Sequence, residues 1–398
     1  MREYLFVFLV GLAVTALAAP ACRSLAIRVN AVAQVRSRDV HEQPTPYFGG
    51  LAMLAGVGAA FLLASQMPFL SRYAAMSRDS LAVFAAAVVI CAVGVLDDLV
   101  NLTPLLKASG QALAAAIAVA GGVRLFWIPW GDGIITLGQP ISILITIFTV
   151  VLIANAINFI DGLDGLAAGV VAIGSGAFFI YAYWLAVEED LVRAMTASLA
   201  TVVTCGVCLG YLPHNFHKAK MFMGDSGSML LGLLMAASTI SLTGQVDPFT
   251  LSGKEGLLVT AMPLILPAFV LALPLIDLFW AIARRIIKKQ SLYMPDKEHI
   301  HHKLLERGHS HRGSVLLMYG WSAVVSFGVL ALGFIPSWAT FFVVIAVLAV
   351  IAIVTGLRRT PVKDGREAAR SLAEAVKQVV RRPAAAPPEP GQARWGKR

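Results

Sequence analysis

The sequence predicts an all-α polytopic integral membrane protein, and three observations support this class. Hydrophobic residues make up 58% of the 398 residues, whereas soluble domains have about 45–50%. Charged residues make up only 14%, against about 25% in soluble domains. The apolar residues also form long runs, and an α-helix needs about 20 such residues to cross a bilayer. An ordinary water-soluble enzyme is excluded, and so is a disordered chain, which combines low hydrophobicity with high charge.

Eleven apolar segments are long enough to be spanning helices. They lie near 4–21, 49–66, 79–96, 104–121, 141–158, 166–187, 192–212, 226–244, 256–283, 315–335 and 337–357. All should be helical, because lipid offers no partner to a free backbone N–H or C=O group. The fourth segment is the weakest, since Lys107, Ser109 and Gln111 lie in its first turns. Together the segments predict a membrane domain over residues 1–357.

The distribution of basic residues predicts the orientation of this domain. If the loop after the first span is cytoplasmic, 26 of the 32 Lys and Arg residues lie on the cytoplasmic side. The positive-inside rule then places the N-terminus outside and the C-terminus in the cytoplasm. The net charge of +9 therefore reflects topology, and we expect no nucleic-acid partner.

Residues 358–398 are predicted to form a basic cytoplasmic tail. Leu372, Val376, Val379 and Val380 lie roughly on one side of a possible helix over 364–382, which favours a helix on the inner leaflet. The remaining residues are rich in Pro and Ala and are predicted to be disordered.

Ionisable and amide side chains cluster at four places, all on the predicted cytoplasmic side: three at ends of spans and one in the loop between the ninth and tenth spans. Polar residues there are energetically expensive and indicate a functional site. They are Asp97 and Asp98; Asn155, Asn158, Asp161 and Asp164; Asp225; and His299, His301, His302, His309 and His311.

These residue types favour metal-assisted chemistry on phosphates. Oxygen ligands from Asp and Asn suit Mg²⁺ or Mn²⁺, which take few protein carboxylates beside substrate phosphates. The adjacent Asp97 and Asp98 require a nearby cation, such as a metal or Lys107, or a raised pKa on one carboxyl, which would make it a general base. Glycines and serines around Asp225 predict a helix start whose N–H groups can approach an anion.

Structural alternatives remain open for several of these residues. Asn155 could hydrogen-bond between helices, and Asp225 could cap its own helix. His309 and His311 could belong to a solvated basic loop. His214 and His217 could be either packing residues or ligand contacts.

Five stretches resemble the polyprenyl-phosphate N-acetylhexosamine-1-phosphate transferases and occur in the order of that family. They are TPYFGG (45–50), VLDDLVNLTPLLK (95–107), NAINFIDGLDGLAAG (155–169), PHNFHKAKMFMGDSGSMLLG (213–232) and HIHHKLLERGHSHR (299–312). The histidine motif is most similar to the GlcNAc-1-phosphate branch, and the whole chain is most similar to the actinobacterial decaprenyl-phosphate enzymes.

The resemblance implies a reaction and its location. UDP-GlcNAc and polyprenyl phosphate would give GlcNAc-pyrophosphoryl-polyprenol and UMP with Mg²⁺ (or Mn²⁺), starting an envelope polysaccharide or linker. The active site would lie on the cytoplasmic face of the plasma membrane in a homodimer.

The resemblance also implies roles for individual residues. Asn158 and Asp225 would bind the metal, and Asp97, Asp98, His301 and His302 would be catalytic. Candidate substrate contacts are Asp164 on the nucleoside side, Phe222 stacked on uracil, and Asn155, Asp161, His299, Arg312 and Lys107. One departure is Glu42, where some relatives carry a lysine, so the phosphate role of that lysine does not transfer; Arg36, Arg38 or His41 could substitute.

Several alternatives remain open. The chain could be a phospho-MurNAc-pentapeptide transferase of the same family, and a covalent aspartyl-phosphate route competes with direct attack. An ion-coupled transporter would instead use the acids as a relay at mid-membrane depth, accessible from both faces. The sequence leaves open the prenyl length, the polymer that the product feeds, and whether the sugar is GlcNAc or GalNAc.

Overall fold

The protein is a bundle of long helices in the computed structural model, which confirms the predicted all-α polytopic class. The structure describes residues 1–33, 44–72, 77–130, 133–188, 191, 194–243, 265–287, 304–305, 309–335 and 337–357. The predictions for Arg36, Arg38, His41, Glu42, His299, His301, His302 and the tail 358–398 lie outside these residues.

The helices follow the predicted apolar segments closely. They are α1 (Arg2–Arg28), α2 (Gly49–Gln66), α3 (Pro68–Leu70), α4 (Arg78–Val100), α5 (Pro104–Gly121), α6 (Gln139–Ile160), α7 (Leu166–Val187), α8 (Ala194–Asn215), α9 (Gly224–Thr243), α10 (Ala272–Ile287), α11 (His311–Phe334) and α12 (Trp338–Leu357). Helix α1 extends past its predicted end at residue 21, because helical hydrogen bonding continues beyond the apolar run.

Nine of the described helices are long and apolar enough to cross a membrane: α1, α2, α4 to α9, and α11. The other two predicted spans correspond to α10 and α12, which are shorter in their described apolar length. The total of eleven spans and the outer N-terminus stay predictions.

Two short antiparallel strand pairs lie between the helices and were not predicted. Strand β1 (Val32–Ala33) pairs with β2 (Thr45–Pro46), and β3 (Trp127–Trp130) pairs with β4 (Gly133–Thr136). They occur between predicted spans, where the prediction from apolar runs gives no signal. The first pair bears on the site, because the Phe222 backbone N–H donates to the Pro46 carbonyl at 2.8 Å.

Helix α9 lies at the centre of the bundle and packs against α2, α4, α6 and α8. In the most apolar stretch of α9, 89% of the residues are buried inside the protein, whereas in the corresponding stretch of α5 only 28% are buried. Two glycines on neighbouring helices let those helices approach the start of α9 closely. A Cβ atom at Gly50 or Gly94 would overlap the backbone of Ser226, so α2 and α4 touch the first turn of α9 directly.

Candidate active site

Many helix ends meet at one end of the bundle and bring the predicted motifs together. Among the described residues they include the C-terminal ends of α4, α6 and α8 and the N-terminal ends of α2, α5, α7, α9 and α11. Short turns join α4 to α5 and α6 to α7, so residues that follow one span lie next to residues that precede the next.

Lys107 is the cation that the paired aspartates require. Its Nζ lies 3.0 Å from Asp97 Oδ2 and also contacts Asp225 Oδ2. Asp97 is fixed from its other side, since its Oδ1 accepts the Leu102 N–H at 2.7 Å. The turn between α4 and α5 therefore places Asp97 and Lys107 together, and Lys107 links them to α9.

Asp98 has a different set of contacts from its neighbour. Its Oδ1 accepts the Asp225 N–H at 2.8 Å, and its Oδ2 accepts the Ser226 hydroxyl at 3.0 Å and the Ser226 N–H at 3.4 Å. Asp98 thus satisfies free N–H groups at the start of α9, where a negative charge also interacts favourably with the helix dipole. These contacts describe a positioning residue that fixes Asp225, and the catalytic role predicted for Asp98 stays a prediction.

The two asparagines of α6 separate into different environments. Asn158 Nδ2 donates to Asp225 Oδ1 at 2.7 Å and to Ser228 Oγ at 2.8 Å. Asn155, one turn deeper, donates to Gln111 Oε1 at 2.8 Å. Asn155 therefore makes the inter-helix hydrogen bond that the sequence left as an alternative, and Asn158 joins the acidic cluster.

The donor set around Asp225 fits a magnesium ion. Asp225 and Asp97 carry carboxylate oxygens on either side of Lys107, and Asn158 would offer its amide oxygen once the amide, whose nitrogen now faces Asp225, has turned over. Such hard oxygen donors, few in number, are what Mg²⁺ takes from a protein when phosphates supply the remainder.

Asp161 and Asp164 occupy the turn between α6 and α7. Burial raises the pKa of Asp161 to about 8, and the nearby carboxylates of Asp225, Asp98 and Asp164 add to the increase. Asp164 instead lies beside two histidines. Its Oδ2 accepts the Ala219 N–H at 3.1 Å and lies 3.5 Å from His217 Nδ1 and 3.9 Å from His311 Nε2.

We expect Asp161→Asn to raise thermal stability more at alkaline than at acidic pH. An unfolded aspartate titrates near pH 4, so between about pH 4 and pH 8 the folded state binds the extra proton. Ionisation of Asp161 therefore lowers the free energy of unfolding as the pH rises through this range, and asparagine removes that loss. Melting temperatures in detergent at several pH values, with chelator present, measure the effect; parallel pH profiles of the two proteins would contradict it.

Four residues singled out in the sequence also lie around this end of the bundle. Phe222 lies with its ring centroid 6.3 Å from that of Tyr47, and its carbonyl accepts the Gly49 N–H at 3.1 Å. Arg312 donates to the His217 carbonyl at 3.2 Å. His309 is 7% exposed, and His311 contacts Asp164, so the structure excludes the solvated-loop alternative for both histidines.

Several residues that shape the site carried no clear signal in the sequence. Tyr319 donates its hydroxyl to the Gly165 carbonyl at 2.6 Å, and Asn215 Oδ1 accepts the Gly165 N–H at 2.9 Å. Gly165 has a positive φ of 78°, and these two contacts fix it at the start of α7. The only sequence feature that points to Asn215 is its position between two histidines in PHNFH. Tyr319 lies inside an apolar span, and no sequence feature points to it.

This fold and this site define a polytopic membrane protein with Asp, Asn, Lys and His side chains converging at one end of its helices. Residues 80–243, from the third residue of α4 to the end of α9, match the model of glycosyl transferase family 4.

Comparison with curated proteins gives close relatives over most of the chain. It is 45% identical over 332 residues to decaprenyl-phosphate N-acetylglucosaminephosphotransferase of Mycobacterium leprae, covering 82% of this chain and 83% of that protein. It is 42% identical over 374 residues to the protein of the same name in Mycolicibacterium smegmatis, covering 92% and 91%. It is 34% identical over 362 residues to a probable undecaprenyl-phosphate N-acetylglucosaminyl 1-phosphate transferase of Bacillus subtilis, covering 90% and 93%.

The chain belongs to glycosyl transferase family 4, in the group of polyprenyl-phosphate N-acetylhexosamine-1-phosphate transferases. The resemblance drawn from its motifs is thereby confirmed.

Proposed function

We propose that the protein transfers GlcNAc 1-phosphate from UDP-GlcNAc to a polyprenyl phosphate, with decaprenyl phosphate the first candidate, and releases UMP. The observation that carries this proposal is the convergence of Asp97, Lys107, Asn158 and Asp225 at one end of a membrane bundle. A lipid phosphate lies at headgroup depth, so a water-soluble nucleotide sugar can meet it there. The 45% identity to a protein named for this transfer supports the same assignment.

Asn158 and Asp225 would hold Mg²⁺ in this reaction. When bound, the ion neutralises charge that develops on the pyrophosphate in the transition state. Lys107, already between two carboxylates, can contact a phosphate oxygen as a point charge. Asp98 keeps the first turn of α9 in place, which fixes the position of Asp225.

The route that we favour is a direct attack by an oxygen of the lipid phosphate on the β-phosphorus of UDP-GlcNAc. The new bond joins that oxygen to the β-phosphorus, and the bond to the bridging oxygen of UMP breaks. Asp97 would act as base or orient the charge of the lipid phosphate. A covalent carboxylate intermediate predicts exchange of labelled UMP into UDP-GlcNAc without lipid, whereas direct attack predicts no exchange.

We place the site on the cytoplasmic face of the plasma membrane. Its support is the excess of basic residues on the predicted inner side, to which Arg23 and Lys220 belong; Arg23 Nε donates to the Lys220 carbonyl at 3.0 Å. A homodimer is part of the same proposal and is checked by the mass of the detergent-solubilised protein.

The function is tested by UMP release from purified protein with UDP-GlcNAc and decaprenyl phosphate. We expect release that disappears with chelator and returns with Mg²⁺. UDP-GalNAc and UDP-MurNAc-pentapeptide, each offered alone and as competitors, decide the sugar. Absence of metal-dependent release from a folded, monodisperse preparation with all three nucleotides would overturn the proposal and favour a transporter.

We expect Lys107→Met to lower turnover by about 10²-fold, the scale of losing one charged contact to a transition state. The same change leaves Asp97 and Asp225 without their shared cation, so the apparent affinity for Mg²⁺ should rise. Turnover at saturating substrates and a Mg²⁺ titration measure the two effects. Lys107→Arg keeps the charge and is the matched variant. It should retain more activity than Lys107→Met. If both variants lost the same activity, the positive charge would not be the cause of the loss.

A further inference from the structure

We propose that Asp164, His217 and His311 form a binding site for a divalent transition-metal ion, with zinc the first candidate. The three residues come from separate parts of the chain: the turn between α6 and α7, the segment after α8, and the first residue of α11. One ligand atom from each residue lies within 4.8 Å of the other two. The proposal goes beyond the transfer reaction and its magnesium site.

The separations between Asp164 and the two histidines are closer to those between ligands of one metal ion than to the lengths of direct hydrogen bonds. His217 Nδ1 and His311 Nε2 lie 3.5 Å and 3.9 Å from Asp164 Oδ2. Hydrogen bonds between such atoms span about 2.7–3.2 Å. Ligands of a tetrahedral zinc ion, at about 2.0–2.1 Å from the metal, are separated by roughly 3.3 Å. The two ring nitrogens lie within 4.8 Å of each other, so an inward movement and turn of both rings would complete a three-ligand shell.

The ring nitrogens that face Asp164 need a partner. His217 Nδ1 and His311 Nε2 are both buried from solvent, and neither makes a hydrogen bond within the described residues. Buried polar atoms are usually satisfied, so an unsatisfied pair aimed at one carboxylate oxygen indicates a ligand between them. The two rings are stacked with centroids 4.7 Å apart and planes 26° apart, so the two imidazoles lie side by side next to Asp164.

The charge of the cluster selects a cation. With neutral imidazoles the three side chains carry one negative charge, on Asp164, so a phosphate would be repelled. Imidazole nitrogen favours zinc and similar transition metals over Mg²⁺, whereas the oxygen donors around Asp225 favour Mg²⁺. Two His and one carboxylate also leave a fourth tetrahedral position open, as in zinc sites that bind an external oxygen.

Secondary contacts hold the ligands in place. The Ala219 N–H donates to Asp164 Oδ2, and Arg312 donates to the His217 carbonyl. Because the ion would join three separate segments, it would stabilise the end of the bundle that carries Asp164, the residue predicted to lie on the nucleoside side.

The test uses the full chain, purified in detergent with an affinity tag that lacks histidine and stripped of metal by chelator. Zinc titration by calorimetry should give one tight equivalent per chain, and zinc should raise the melting temperature. His217→Ala and His311→Ala should each weaken zinc binding by at least about 100-fold, because even changes to residues behind a ligand cost 10–100-fold.

Matched variants separate this cluster from other histidines. His214 contacts the Ala16 carbonyl and His309 the Thr355 carbonyl, so His214→Ala and His309→Ala should retain zinc affinity. His301→Ala should also retain it, and a loss confined to that variant would move the site and overturn the proposal. Asp225→Asn should keep zinc binding while losing sugar-phosphate transfer, so failure of the zinc site and failure of the proposed function give different results.

X-ray absorption of the zinc-loaded, unmutated protein provides a test that does not depend on variants folding. We expect two imidazole nitrogens with oxygen ligands. A shell containing sulfur would place zinc at one or more of the four cysteines, and a shell of oxygen alone would place it at a carboxylate cluster such as that of Asp225. Either result, or no tight zinc equivalent, would overturn the proposal.

Discussion

Asp225→Asn is expected to reduce transfer by at least about 10³-fold while the protein stays folded. Loss of one preorganised electrostatic group typically costs 10²–10³-fold, and Asp225 is both a predicted metal ligand and the partner of Lys107. Asparagine keeps the size of the side chain, so Asn158 and Ser228 keep their neighbour. UMP release at saturating substrates, over a range of Mg²⁺ concentrations, measures the loss.

Ser228→Ala is the matched control for this prediction. Ser228 lies one turn along α9, and its hydroxyl accepts from Asn158 without contacting Lys107. We expect it to lose less than about 10-fold, the scale of one neutral hydrogen bond of about 1 kcal/mol. Near-normal turnover of Asp225→Asn at any Mg²⁺ concentration would contradict the assignment of Asp225 as a metal ligand.

Gly94→Val is expected to prevent assembly of the site altogether. A Cβ atom at Gly94 would overlap the backbone of Asp225 and Ser226, and backbone at the start of a central helix cannot move aside as a flexible side chain can. Overpacking costs about 1–3 kcal/mol where neighbours adjust, and more where they do not. We expect a large fall in melting temperature, poor recovery of folded protein and loss of transfer, measured by fluorescence-detected elution and UMP release.

Gly58→Ala in α2 serves as the control for this effect. A Cβ atom there meets only the ring of Phe84, at 3.6 Å, which is an ordinary contact. Alanine also favours helix over glycine by about 1 kcal/mol, so stability should stay level or rise. If Gly94→Val and Gly58→Ala changed the melting temperature equally, the close approach of α4 to α9 would not explain why position 94 is a glycine.

The helices and the general place of the site could be predicted from sequence because their signals are local. A run of about 20 apolar residues needs no tertiary context to be recognised, and polar residues at its ends stand out. The hydrogen-bonded partners could not be predicted, because they depend on contacts between distant parts of the chain. Asp98 and Ser226 are 128 positions apart, and Tyr319 and Gly165 are 154 apart.

Asp97 and Asp98 show this limit most clearly. Adjacent acids at a helix end look alike in a sequence, because a carboxylate at a helix C-terminus opposes the helix dipole in either position. The structure resolves this through a second helix, since Asp98 caps the N-terminus of α9 while Asp97 contacts Lys107. His217 and His311 are similarly ambiguous in the sequence, since only the packing of α7 against both α8 and α11 brings them together.

The central position of α9 also has a consequence for biosynthesis. Because α9 is enclosed by other helices, few of its side chains would contact lipid in the folded protein. Its Ser238, Thr239 and Ser241 would also lower its tendency to insert into the bilayer alone. Its partners α2, α4, α6 and α8 all precede it in the chain. Because synthesis starts at the N-terminus, these four helices are made before α9. We therefore expect insertion of α9 into the membrane to depend on their correct insertion and packing.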